Sequence, residues 1–63
     1  MDRSSEILER ALKIMGKYDM PIFKFCNRAG ISYAAFYGWR KGTLRLSDAT
    51  LNRIDGILEV FGV

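Results

Sequence analysis

The chain contains no histidine, a single cysteine, a single proline and no long apolar run. Without histidine, and with Asp19 as the one acid of the central stretch, side chains for general acid–base catalysis are scarce. One cysteine cannot form an internal disulfide and has no partner ligand for zinc. No apolar run approaches the roughly 20 residues that a membrane-spanning helix needs. We therefore expect a cytoplasmic protein that is not an enzyme, needs no metal or cofactor and does not enter a membrane.

Apolar and basic residues dominate what is present. Apolar residues make up 49% of the 63 residues, which is typical of a packed globule, and the length suits one small domain over residues 1–63. The net charge of +3 is unevenly distributed, because Asp19 is the only acid between residues 13 and 45. The basic residues of that stretch are Lys13, Lys17, Lys24, Arg28, Arg40, Lys41 and Arg45. Such a basic middle favours a surface that faces a polyanion, and an ordinary solvated face is the alternative.

The stretch over residues 22–42 organises the chain. It contains two short apolar-patterned runs, IFKFCNRA and YAAFYGWRK, separated by Gly30, Ile31 and Ser32. Gly30 can adopt a positive φ and end the first run, and the Ser32 hydroxyl can cap the second. Two helices joined by a three-residue turn with glycine form a helix-turn-helix unit.

This unit resembles the helix-turn-helix of the Cro and lambda-type repressor family, often called the Xre family. Small and apolar residues with the turn glycine carry the resemblance: Phe25, Cys26, Ala29, Gly30, Ile31, Phe36 and Trp39. It continues through residues 40–42 and 46–63, so that it covers roughly residues 18–63. The resemblance implies a compact all-α fold, a lambda-repressor-like domain of four helices, or five as the alternative, around a central helix-turn-helix.

Apolar spacing predicts helices over residues 4–17, 21–29, 32–41 and 47–61. In the first helix, residues at spacings of three and four predict one inward stripe: Ile7, Leu8, Ala11, Leu12, Ile14, Met15 and Tyr18.

The ends of the predicted helices carry candidate caps. We expect Ser4 or Ser5 to cap the first helix, and Asp19 to cap the second from just upstream of Pro21. Gly56 weakens the last helix, which predicts a close contact at that position.

The beginning of the second helix departs from the family pattern. Pro21 and Ile22 stand where the family has a small polar cap followed by a glutamine that grips a phosphate. Ile22 and Phe23 either complete the core against the first helix or form an exposed patch.

The third helix is the candidate for DNA recognition. In the family, residues at the start of this helix reach base edges in the major groove, and its end and the following loop hold the backbone. Carried over position by position, the resemblance implies base-facing places for Ser32, Tyr33, Ala34, Tyr37 and Gly38. It implies backbone-facing places for Arg40, Lys41, Thr43 and Arg45.

The base-facing residues lack glutamine, asparagine and arginine, the usual bidentate readers. Tyr33 offers a hydroxyl and Ala34 a methyl group, while Arg40 could reach a guanine or a phosphate. We therefore expect readout through thymine methyl groups, tyrosine hydroxyls and DNA shape.

The resemblance implies a sequence-selective regulator of transcription that binds double-stranded DNA, either a small repressor of the phage or mobile-element type or an antitoxin-like protein. The alternative is an adaptor or inhibitor that uses the tyrosine surface to bind a protein partner. A homodimer, which recognition of two half-sites usually requires, would pair through Val60, Phe61 and Val63 or through the first helix.

Overall fold

The structure is a computed structural model that describes residues 2–62. Its helices are α1 (Arg3–Lys17), α2 (Ile22–Ala29), α3 (Tyr33–Lys41) and α4 (Asp48–Val60). These residues form four helices and contain no strand or fifth helix, so the all-α, four-helix fold is confirmed.

Side-chain caps fix where three of the helices begin. The hydroxyl of Ser32 accepts a hydrogen bond from the Ala35 amide at 3.0 Å, as predicted for the cap of α3. Ser47 likewise caps α4 by accepting from the Thr50 amide at 3.2 Å. The prediction of a serine cap for α1 was wrong, because Asp2 caps it with a carboxylate that accepts from the Ser5 amide at 2.8 Å. An aspartate is as good a cap as serine, and Asp2 stands two residues before Ser4 and three before Ser5.

The second helix begins without a side-chain cap. Pro21 is its N-cap in extended conformation, and no side chain bonds to its first amides. The predicted cap from Asp19 was wrong, because that residue adopts a left-handed conformation with φ 53° in the turn that follows α1. In the same turn the Met20 amide donates to the Met15 carbonyl at 2.8 Å, which closes the end of the first helix.

The core lies where α4 packs against α1 and α2, and α2 packs against α3. The buried residues are Ile7, Ala11, Ile14, Met15, Phe25, Cys26, Ala29, Phe36, Trp39, Leu51, Ile54 and Leu58. The Trp39 indole donates to the Ser4 hydroxyl at 2.8 Å, which ties the end of α3 to the start of α1. A short hydrogen bond from Arg3 to Asn52 and an ion pair between Arg10 and Asp55 at 2.9 Å join α1 to α4.

Several predicted core positions differ in the structure. Leu12 and Tyr18 lie at the exposed edge of the α1 stripe, where the stripe is wider than the surface that α4 covers. The close contact predicted at Gly56 was wrong, since no atom lies within 4 Å of the position a Cβ would take. The sequence left open whether Ile22 and Phe23 are buried or exposed. In the structure Ile22 packs against the core and Phe23 is exposed.

Candidate nucleic-acid interface

Glycine and close packing set the geometry of the turn between α2 and α3. Gly30 adopts φ 70°, and the amide of Ile31 donates to the Cys26 carbonyl at 3.1 Å, so the chain reverses directly after α2. Cys26 is buried, and burial raises the pKa of its thiol, which therefore stays neutral. The rings of Phe25 and Phe36 meet edge to face with centroids 5.8 Å apart. These contacts hold α3 at a fixed orientation on α2.

With Phe36 and Trp39 buried, the opposite face of α3 is open to solvent. Tyr33 is 49% exposed and Tyr37 is 37% exposed. The two rings lie one helical turn apart with centroids separated by 4.9 Å, and their hydroxyl oxygens are 3.3 Å apart. The hydrogen bond to Tyr37 raises the pKa of Tyr33 above the ordinary value of a phenol. Ala34 is exposed beside the pair.

Ser32 and Gly38 differ from the tyrosines in what they present to solvent. The Ser32 oxygen already accepts the Ala35 amide, although its own hydrogen can still be donated outward. Gly38 is half-buried, because Leu44 folds back against it. The Gly38 carbonyl accepts from the Thr43 amide at 2.9 Å and from the Leu44 amide at 3.1 Å. The structure therefore places Gly38 under a loop, while Ser32 lies at the open start of the helix.

Thr43 completes this loop after α3. Its hydroxyl donates to the Gly38 carbonyl at 3.2 Å, and Gly42 ends the helix with φ 85°. The hydrogen that a phosphate would accept is thus engaged within the protein. The sequence analysis did not predict that Leu44 packs against α3. The signal for this contact is Gly38, a glycine inside a helix four residues before the loop begins.

Three cations lie at the end of α3 and just beyond it. Arg40 and Lys41 occupy the last turn, where a positive charge suits the negative end of the helix dipole, and both are exposed. Arg45 is also exposed and lies near the start of α1, where it contributes to lowering the pKa of Asp2, after the larger effect of hydrogen bonds from Ser5. The structure brings these cations to one end of the exposed α3 face.

The helix-turn-helix carries no negative side chain. Neither Ile22–Ala29 nor Tyr33–Lys41 contains aspartate or glutamate, so no acid in either first turn offsets the positive end of the dipole. Over residues 2–62 no cluster of histidine, cysteine or acidic side chains could hold a metal ion. Within the same range, no helix has the length and apolar character required to span a membrane.

A comparison with models of protein families matches residues 12–63 to the Cro/C1-type HTH DNA-binding domain. The chain belongs to this family. The match covers most of the chain and includes all of α2, α3 and α4. Neither the curated proteins nor the solved structures contain a match.

As a Cro/C1-type domain, the protein is a DNA-binding regulator. The resemblance inferred from the turn glycine and the apolar positions around it is thereby confirmed. Of the residues expected at the DNA, the structure brings Ser32, Tyr33, Ala34 and Tyr37 together on the open face of α3. It separates Gly38 from that group by covering it with the loop.

Proposed function

We propose that the protein is a sequence-selective regulator of transcription, a small repressor that lays α3 in the major groove of double-stranded DNA. The observation that carries this proposal is the composition of the exposed α3 face. Exposed tyrosines lie at its start, exposed cations lie at its end, and it has no acid. A face of this kind attracts phosphates with its basic end and can place the tyrosines against base edges.

Within this arrangement the side chains divide into two groups. Ser32, Tyr33, Ala34 and Tyr37 face the bases, where hydroxyls can donate to base acceptors and the alanine methyl can contact a thymine methyl. Arg40, Lys41 and Arg45 face the phosphates, where they add affinity for any sequence.

Gly38 and Thr43, which the family resemblance places at the DNA, take a supporting role in this proposal. The Thr43 hydroxyl and the Leu44 side chain both use Gly38 as their docking point. The resulting turn determines the path of the chain from the end of α3 to Arg45. Both residues therefore act on DNA binding through the path of the loop.

Salt titration of binding to random duplex DNA tests the proposal. Neutralising about four to six phosphates per subunit gives a log–log slope of roughly −4 to −5. A flat response, or no binding at low salt, would reject DNA as the partner and favour an adaptor whose tyrosine surface binds a protein.

Two substitutions separate phosphate contacts from base contacts. We expect Lys41→Ala to weaken binding to all sequences alike and to reduce the salt slope by about one. Tyr33→Ala should instead remove the preference for a selected site over random duplex. Lys13→Ala is the matched control for the loss of one positive charge. Ser4 contacts Trp39 at the end of α3, and Lys13 is exposed on α1 about 14 Å along the helix from Ser4, at a rise of ~1.5 Å per residue.

Recognition of two half-sites requires two copies of the protein, and the proposal includes a homodimer. Of the residues first considered for pairing, Val60 is 83% exposed at the end of α4. Phe61 is less available, because its ring packs against Tyr18 at 5.3 Å and lies beneath Arg28. Val63 lies outside the described residues. Sedimentation equilibrium of Val60→Asp against the wild type, with and without DNA, tests this surface, and an unchanged association constant would reject it.

A further inference from the structure

The hydroxyls of Tyr33 and Tyr37 act as one chemical unit. Their oxygens lie 3.3 Å apart, and the tilted rings beneath them are held at a centroid distance of 4.9 Å on the same face of α3. Two phenol groups carry two hydrogens, and the hydrogen bond between them uses one. Whichever tyrosine donates, the pair presents one hydrogen outward together with oxygen lone pairs. It is a donor and an acceptor side by side.

The four bases differ in what they offer to such a unit in the major groove. Adenine presents an acceptor, N7, beside a donor, the N6 amino group. Guanine presents two neighbouring acceptors, N7 and O6, while cytosine presents a donor and thymine an acceptor with a methyl group. Adenine is thus the one base whose edge pairs with both the outward hydrogen and an outward lone pair.

We infer that the Tyr33–Tyr37 pair reads one adenine per subunit and discriminates against guanine at that position. The outward hydrogen bonds to N7, and a phenol oxygen accepts from the N6 amino group. At a guanine, O6 would face an oxygen lone pair as long as the two phenols stay bonded, and satisfying O6 requires breaking the hydrogen bond between them to free the second hydrogen. This inference rests on the proposed function, since it requires α3 to lie in the major groove.

The neighbouring side chains leave this role to the tyrosine pair. Ala34 has no polar side-chain atom, and the Ser32 hydroxyl, which already accepts from the Ala35 amide, lacks the neighbouring second oxygen that the tyrosine pair has. The nearest long donor on α3, Arg40, lies three residues after Tyr37, and a guanidinium only donates, so it cannot accept from the N6 amino group of adenine. Each tyrosine retains enough exposed surface, 49% for Tyr33 and 37% for Tyr37, to reach a base edge.

Modified duplexes test the inference once a binding site has been selected from a random pool. At each adenine of that site, one at a time, the base is replaced by guanine, by 7-deazaadenine, which lacks N7, or by purine, which lacks the amino group. We expect one adenine per half-site at which all three replacements weaken wild-type binding by about tenfold or more.

The phenylalanine variants assign this effect to the hydroxyls. Tyr33→Phe and Tyr37→Phe keep the rings but leave a single hydroxyl, which has no partner to fix its hydrogen and no second oxygen to place against the N6 amino group. Each should therefore lose most of the preference for adenine over guanine while keeping the salt slope of the wild type. Tyr18→Phe is the matched control, because Tyr18 is equally exposed at 49% but packs against Phe61 at the end of α1. Circular dichroism verifies that all three variants fold.

The outcomes separate this inference from the function on which it rests. If wild-type binding depends on salt and sequence but either α3 variant keeps the full adenine preference, the inference is overturned and the proposed function stands. Sensitivity to 7-deazaadenine and to purine at different positions overturns it too, because the hydroxyls would then contact two bases. Absence of duplex binding by the wild type overturns both.

Discussion

Gly38 shows how the size of one residue sets the path of the chain after the recognition helix. Its carbonyl accepts hydrogen bonds from the amides of Gly42, Thr43 and Leu44 and from the Thr43 hydroxyl. A Cβ at this position would lie 2.9 Å from the Cβ of Leu44, an atom fixed by the backbone. The absence of a side chain is therefore what allows Leu44 to dock.

We predict that Gly38→Ala lowers the free energy of unfolding by up to about 2 kcal/mol. Overpacking typically costs about 1–3 kcal/mol, whereas the gain in helix propensity from glycine to alanine recovers only about 1 kcal/mol. Urea denaturation followed by circular dichroism measures the difference. The affinity for DNA of any sequence should fall as well, because displacement of the loop would move Arg45 away from the phosphates.

The control for this substitution is Gly56→Ala. Gly56 also lies inside a helix, but no atom is found within 4 Å of its added Cβ. Helix propensity then acts alone, so the variant should be more stable than the wild type by up to about 1 kcal/mol. Equal effects of the two substitutions would contradict the steric role of Gly38.

At the scale of the helices, the ends that could be predicted are those where a cap or a glycine stands directly beside the apolar run. Ser32 and Gly30 follow this rule, and their predicted roles are confirmed. Ser47, directly before the apolar run of α4, follows it too. The rule was insufficient for α1, where Asp2 and two serines compete for one position. Only the observed contact of the Asp2 carboxylate with the Ser5 amide decides between them.

The sequence predicts less of the candidate site than of the helices. The exposure of Tyr33 and Tyr37 follows from helical periodicity once Phe36 and Trp39 are placed inward. The hydrogen bond between the two phenols and the burial of Gly38 under Leu44 depend on side-chain positions that no spacing rule contains. Periodicity thus predicts the face of a helix, and contacts determine which of its residues remain available.

The carboxylate cap of α1 makes the stability of that helix depend on pH. Hydrogen bonding from Ser5 lowers the pKa of Asp2 in the folded protein below its ordinary value. A lowered folded-state pKa means that the cap stabilises the fold above the unfolded-state pKa and that this contribution is lost as the pH falls through the folded-state pKa.

We predict that Asp2→Asn loses less stability than the wild type on acidification. Asparagine caps a helix without titrating, so the contribution of this position becomes independent of pH. Urea midpoints at pH 7 and at pH 3 measure the difference, and Asp48→Asn is a control for removal of one acid elsewhere, since Ser47 caps α4. A wild-type and an Asp2→Asn curve that fall in parallel would contradict this role of Asp2.

For the whole molecule, contacts between distant parts of the chain hold the recognition surface in place. Trp39 at the end of α3 bonds to Ser4 across 35 positions, and Arg10 bonds to Asp55 across 45. Contacts between residues so far apart in the chain do not affect the local spacing of apolar residues. The sequence therefore predicted the helices but not the side-chain contacts that join them. The core beneath them is small, because a chain of this length buries only about 60% of its unfolded surface.

We predict that the core substitution Ile54→Ala weakens DNA binding only through unfolding. Ile54 is fully buried on α4, away from the proposed reading residues on α3, and its truncation should cost about 2–5 kcal/mol. Small domains are stabilised by only about 5–15 kcal/mol, and this one belongs near the lower limit, so a large part of the variant will be unfolded at elevated temperature.

The affinity of Ile54→Ala for DNA, measured at several temperatures, should follow the folded fraction from circular dichroism, and at low temperature it should approach that of the wild type. A loss of affinity that persists in the fully folded variant would show that α4 positions α3 through a more specific path than stability alone.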